Sequence, residues 1–206
     1  QGEVFMLRRN ATALFLDNIL DSEHLIEQNK GIFFIDTTRM KKPWKERKLT
    51  IRQVCAIESA ALTNPNSKIF VILVSPQELK AIKMTTDFEA TLNDYENIFP
   101  LSLNLIQFSI DTPLEHFIAN GSELFNSIFI KSHTSDALRL LLLHKYGGTY
   151  IDMDMIVRQD LSELPRNFIC KDHGFLNGAI INLDTKRGKK FNELFIKDMI
   201  DNFNGH

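Results

Sequence analysis

Absences narrow this sequence before any motif is read. Only two cysteines occur, Cys55 and Cys170, and they fit no metal-binding spacing. They are two thiols or one bridge. The six histidines form no ligand pair, there is no internal repeat or low-complexity tract, and net charge is −2 with no basic block. Nothing therefore points to nucleic acid or to a polybasic membrane surface. Neither G-x-G-x-x-G nor G-x-x-x-x-G-K-S/T is present, which argues against dinucleotide and P-loop sites. The sequence holds no apolar run of about 20 residues and no signal-peptide pattern, and its first residue is Gln rather than Met. The expectation is a processed or partial chain. At 206 residues and 44% hydrophobic it can bury the core of one sizeable domain.

What is present concentrates between Ser132 and Val157. This stretch reads as a buried helix, a glycine stop at Gly147-Gly148, and a short strand ending in Asp152-Met153-Asp154. In an extended chain, residues i and i+2 point to one side, so the two carboxylates converge while Met153 and Met155 face packing. Hard oxygen ligands at an open strand end suit Mg²⁺ or Mn²⁺, which share coordination with a substrate's phosphates. Asp136 and Arg139 share a helix face at i, i+3. Ser132, Thr134 or Ser135 is the expected cap, which puts Asp136 in the first turn. Leu138 and Leu140–Leu143 clothe the helix almost all round, the pattern of burial. With 14 Asp in the chain a lone D-x-D carries no weight. An EF-hand loop is excluded because Ile156 and Val157 stand where a ligand and a Gly are required. The weight lies in the combination: S-D-x-x-R, seven residues, then G-G-x-Y-x-D-x-D.

Around that centre, Ile32–Ile35 reads as a first strand ending in Asp36-Thr37, candidate nucleotide contacts at a strand's carboxyl end. Arg39–Lys48, with Pro43 and Trp44, reads as a loop with a solvated basic face. Thr50–Thr63 has helical periodicity and stops at Asn64-Pro65. Lys68–Val74 reads as a buried strand, Pro76 as the start of a helix, and Asn104–Ile110 as a third strand. Asp111-Thr112-Pro113 opens a short helix with Pro in its first turn. Phe168–Lys171 and Gly178–Leu183 follow as strands around an L-N-G turn holding Asn177, and Lys189–Phe203 closes as a helix. Strand–helix alternation implies a mostly parallel α/β sheet. Sequons at Asn10 and Asn120 are no more than composition predicts.

The combined motif resembles the D-x-D sugar-binding region of the alpha-1,4-galactosyltransferase family, shared with yeast-type initiating mannosyltransferases and large clostridial glucosylating toxins. The likeness is strongest toward the lactosylceramide branch and its arthropod members. GIFFIDTT, ESAALTNPNSKIFVIL, DTPLEHF and FLNGAI agree with it, so it runs from about Gly31 to Gly205.

The resemblance implies a GT-A-type, Rossmann-like nucleotide-sugar transferase fold. Residues 1–30 would form a stem-like lead-in and residues 31–206 a catalytic domain truncated at its C-terminus. It implies Asp154 as direct metal ligand and Asp152 as a contact to ribose and donor sugar that reaches the metal through water. Asp136 and Arg139 would hold the donor's hydroxyls, Tyr150 would lie beside the donor, and Asn177 would touch sugar or acceptor. It further implies Mn²⁺ or Mg²⁺, a UDP-sugar donor, a glycolipid or glycan acceptor, retention of configuration, and the luminal side of the Golgi membrane through an upstream anchor. A mannosyl- or glucosyltransferase, or a silent nucleotide-sugar-binding relative, is the alternative.

Overall fold

The computed structural model describes residues 13–40, 49–75, 81–83, 92–119 and 121–205. Two uninterrupted apolar runs, β3 (Ile32–Asp36) and β4 (Ile69–Ser75), are buried at every position, as strands covered on both faces must be. They centre a seven-stranded sheet. Its other members are β2 (Asp17–Asn18), β6 (Ile98–Asn104), β7 (Gly148–Ile151), β8 (Phe168–Asp172) and β9 (Phe175–Leu183), in the order β2-β6-β4-β3-β7-β9-β8. The first five run parallel, β9 runs antiparallel to β7, and β8 in turn runs antiparallel to β9. A separate ribbon pairs β1 (Ala13–Phe15) with β5 (Ala81–Lys83).

Alternation along β3 divides the core. Phe33 and Ile35 face one layer with Leu138, Leu141 and Leu142 of the helix at Ile130–Tyr146, whereas Ile32 and Phe34 face the other with Val54, Ile57 and Ala60. Each such aliphatic side chain contributes about 1.5–3 kcal/mol on burial. The second layer is α1 (Ile51–Thr63). Thr50 accepts from the Gln53 amide and Gln53 reciprocates to the Thr50 N–H at 2.8 Å, a capping box. Replacing Thr50 with alanine is expected to lower stability by about 1 kcal/mol, measured as a shift in urea midpoint at constant slope.

Four short or long helices complete the first layer: α2 (Leu105–Ser109), α3 (Glu115–Ile118), α4 (Glu123–Asn126) and α5 (Ile130–Tyr146), with α6 (Arg187–Asn202) closing over α5. Asp184 introduces α6 by accepting from the Lys186, Arg187 and Gly188 amides and from Asn167 Nδ2, which together hold its carboxyl at about 2.

Several expectations are corrected. The third strand is Ile98–Asn104, and Leu105–Ser109 is helical because Asn104 Oδ1 caps the Gln107 amide. Pro100 sits inside that strand, at a position where β2 has not begun to pair, which is how a central sheet tolerates it. Pro113 precedes the cap residue Leu114 rather than occupying the first turn. Helix α5 begins at Ile130 with no side-chain cap, so Ser132, Thr134 and Ser135 are not caps and Asp136 lies in the second turn. The Phe129 amide just ahead of the helix is instead satisfied by Ser127 Oγ. The hairpin turn is His173-Gly174, both at positive φ, so Asn177 lies in strand β9 and not in a turn.

Within the expected lead-in, Asp17–Asn18 pair with β6, and Ile19 and Ile26 are buried in the core. Both cysteines are free. The helix start at Pro76, the loop residues Pro43 and Trp44, and the sequons' Asn10 and Asn120 lie outside the described residues; the next described segment after Pro76, Ala81–Lys83, is a strand.

The strand order reverses at β3: β4 and then β6 are added on one side of it, and the chain returns to place β7 on the other. Ligands bind at such a switch point beyond the strands' carboxyl ends. Here β3 pairs with β7 only through Ile32–Thr149 and Phe33–Tyr150. Beyond that the strands part, and a cleft opens.

Candidate functional site

The cleft, about 590 Å³, is walled on one side by Ile35, Thr37 and Thr38 and on the other by Tyr150, Asp152, Met153 and Asp154. Strand β7 stops at Ile151, and the Met155 amide donates to the Asp152 carbonyl at 3.1 Å. The D-M-D segment is therefore a turn rather than extended chain. The carboxylates reach a common cleft by chain reversal, not by strand alternation. Met153 is buried in the α1 layer and Met155 packs against it, as expected for the residues that anchor this turn.

Asp152 is held from several directions. Its amide donates to the Ala179 carbonyl at 2.8 Å. Tyr150 Oη donates to Asp152 Oδ1 at 2.5 Å, and Arg139 Nη2 faces the same oxygen at 3.6 Å. Arg139 pairs with Asp136 at 2.8 Å, lies over the Tyr150 ring at 4.6 Å, and donates to the Gly178 carbonyl at 2.8 Å. Burial pushes the Tyr150 phenol far above its ordinary range, Arg139 opposing and Asp152 adding to the shift, so Tyr150 remains a donor. Burial likewise raises the Asp136 carboxyl against the pull of Arg139. Asp154 is exposed and has no hydrogen bond or ion pair among the described residues.

Of the sequence-predicted residues, Thr37, Arg139, Tyr150, Asp152 and Asp154 line the cleft; Asp36, Asp136 and Asn177 do not. Asp36 is buried and its carboxylate is consumed by the Thr38 amide and Arg39 Nη1, both at 2.9 Å. It shapes the loop after β3. Asp136 supports Arg139 from α5, and Asn177 Oδ1 turns back to accept from the Ala179 amide at 2.8 Å.

Sequence reasoning missed Thr38, Thr50, Arg52, Gln53 and Lys131 as lining residues. Thr38 Oγ1 is buried without a partner among the described residues, an arrangement that suits a ligand's polar atom. Lys131, Ser135 and Arg139 stand at i, i+4 and i+8 of α5. That stripe was legible, but only with the helix start correctly placed.

The donor set fits a divalent cation of the Mg²⁺ or Mn²⁺ kind. Among the described residues no group of three or more His, Cys, Asp or Glu gathers to enclose a metal. Two carboxylates at an open cleft leave most coordination positions to water and a substrate's phosphates, the habit of these cations. The lining cations Arg52, Lys131 and Arg139 supply attraction for an anionic ligand.

Residues 50–171 match the family model described as a glycosyltransferase sugar-binding region containing a DXD motif. That span holds Asp136, Arg139, Tyr150, Asp152 and Asp154 but neither Asp36, Thr37 nor Asn177. Lactosylceramide 4-alpha-galactosyltransferase of Homo sapiens is 29% identical over 175 residues, covering 85% of this chain and 47% of that protein. Alpha-1,4-N-acetylglucosaminyltransferase of Homo sapiens is 29% identical over 152 residues, covering 71% and 41%. The chain thus spans about half the length of the curated relatives it matches. Among solved structures, one titled PaToxG Glycosyltransferase is similar with a TM-score of 0.52 at 15% identity, covering 99% of this chain and 74% of that one. At that identity the likeness speaks for the GT-A fold.

Proposed function

The chain belongs to the family of glycosyltransferase sugar-binding regions containing a DXD motif, and from that premise we propose that it moves galactose, or N-acetylgalactosamine, from a UDP-sugar to a glycolipid or glycan acceptor in alpha-1,4 linkage with retention. The names of the relatives support the linkage and the donor class. The observation that carries the reading is the Tyr150–Asp152–Arg139 network beside an unpartnered Asp154 at the sheet's switch point.

In this reading Asp154 would hold Mn²⁺ or Mg²⁺, with Asp152 supporting it from the same turn. When bound there, the cation stabilises the charge of a leaving diphosphate as a Lewis acid. The rest is done by the protein. Tyr150 and Arg139 fix the Asp152 carboxylate in one orientation, so no reorganisation is needed when charge develops. Arg52 and Lys131 attract the diphosphate to the cleft. Thr37 and Thr38 offer hydroxyls to the nucleoside along the opposite wall. Asp136 compensates the guanidinium of Arg139, leaving it as an oriented hydrogen-bond donor to the sugar. In the cell, the resemblance points to the luminal side of the Golgi membrane. Among the described residues no helix is long and apolar enough to cross a bilayer.

Calorimetric titration with UDP, with and without Mn²⁺, tests the reading. The expected result is binding in the micromolar range, about −8 kcal/mol, in the presence of metal and none in its absence. Equal binding with and without metal would sink the assignment of the carboxylates. A donor screen over UDP-galactose, UDP-N-acetylgalactosamine, UDP-N-acetylglucosamine and UDP-glucose then selects the sugar. UDP binding with no transfer from any of them, in the full-length protein, would identify a silent relative.

A further inference from the structure

We propose that Gly178 is a positioning residue: its missing side chain and its carbonyl together aim the last free N–H of Arg139 at the hexose of the donor. The proposal rests on the transferase reading above.

The guanidinium of Arg139 carries five N–H donors in a rigid plane. Nε–H reaches the Ser135 carbonyl at 3.4 Å. Nη2 reaches Asp136 Oδ1 at 2.8 Å, with Ser135 Oγ at 3.5 Å and Asp152 Oδ1 at 3.6 Å beside it. One N–H of Nη1 goes to the Gly178 carbonyl at 2.8 Å. The second N–H of Nη1 has no partner among the described residues. With the Tyr150 ring beneath the plane at 4.6 Å, that remaining N–H has a fixed direction, and Arg139 lines the cleft. Two carboxylates already face the cation, so what it offers is one directed hydrogen bond more than net charge. A neutral hydroxyl oxygen of the sugar suits that better than a phosphate oxygen.

Gly178 sets this geometry through space. Its φ is not in the left-handed region, so the backbone does not demand glycine there. A Cβ at Gly178 would lie 2.6 Å from Arg139 Nη1 and 3.7 Å from Cζ. The guanidinium is held on its other edges, so it can yield only by turning its free N–H out of line, while Tyr150 at 2.5 Å still holds Asp152. The preceding Asn177 closes on the Ala179 amide at 2.8 Å, beside an irregularity of the β8–β9 ladder at Ile169/Cys170. Asn177 thereby presents the Gly178 carbonyl. The next carbonyl, Ala179, holds the Asp152 amide. Three consecutive residues of β9 thus fix both the arginine and the aspartate.

The test is a double-mutant cycle on the whole protein, with Gly178→Ala, Arg139→Ala and the pair, titrated with UDP and with UDP-galactose in Mn²⁺. Gly178→Ala is expected to weaken UDP-galactose about 10–100-fold while leaving UDP within about twofold and the melting temperature unchanged. In the Arg139→Ala background it is expected to have no further effect. Equal weakening of both ligands, or losses that multiply in the double variant, would overturn the proposal. Wild-type protein that fails to bind UDP with metal would instead defeat the transferase reading itself. Should Gly178→Ala not fold, Asn177→Ala takes its place: it keeps the space but frees the carbonyl. Selective loss of UDP-galactose then supports the proposal, and unchanged affinity overturns it.

Discussion

Replacing Asp154 with asparagine is expected to weaken Mn²⁺-dependent UDP binding on the order of 100-fold and to leave the melting temperature where it was. The side chain is exposed and partnerless among the described residues, so the fold has no use for its charge. Asparagine keeps its shape and removes one of the two carboxylates that, among the described residues, line the cleft. Its neighbour makes an instructive contrast. Asp152→Asn strips the acceptor of Tyr150 and half of the compensation of Arg139, so a loss of binding there would mix metal affinity with collapse of the network. Asp154 separates the two. Titration beside a thermal melt reads the result, and unchanged metal-dependent binding would remove Asp154 from the role of ligand.

Gly148→Ala is expected to cost about 3–5 kcal/mol of stability, an exceptional value for a single methyl. Two independent penalties meet at this position. Its φ is +103°, in a region that L-residues rarely adopt. A Cβ there would also lie 2.4 Å from the Gly31 carbonyl oxygen. That oxygen already accepts from the Thr149 amide at 2.9 Å, so it cannot move aside without opening the β3–β7 ladder. Gly174 is the matching control, with φ +91° and open space around it. Its alanine variant carries the backbone penalty alone, about 1 kcal/mol. Urea denaturation of both variants decides the matter: similar midpoints would mean that the contact with Gly31 is not rigid.

The central strands were legible because burial on both faces leaves an unbroken apolar signature, as in Ile32–Ile35 and Lys68–Val74 (whose observed span is Ile69–Ser75). Helix α1 was legible from its period and its Asn64-Pro65 stop. Leu105–Ser109 was not, because a β-like composition was overruled by a single capping bond from Asn104. The start of α5 was hidden for the opposite reason: three serine or threonine candidates preceded Asp136, yet the helix begins without any of them. At the site, residue type grouped Asp136 and Arg139 with Asp152 and Asp154, and the resemblance added Tyr150. It could not say that Asp36 is spent on its own loop, since Thr38 and Arg39 occupy its oxygens only once that loop has closed. Nor could it shift attention from Asn177 to Gly178, because the arginine that meets Gly178 comes from a helix far earlier in the chain.

The parting of β3 from β7 bears on the order in which the molecule assembles. Helix α5 and strands β7, β8 and β9 lie within one stretch of the chain, residues 130–183, which contains the whole charged network from Ser135 to Ala179. The facing wall, Ile35 to Thr38, must come from a strand more distant along the chain and joins β7 through only two residue pairs. Contacts of short sequence separation form early and distant ones late. A half-folded chain therefore carries a complete set of ionic contacts with nothing across from them. Nucleotide capture becomes the last property the chain acquires as it folds and the first that it surrenders as it unfolds.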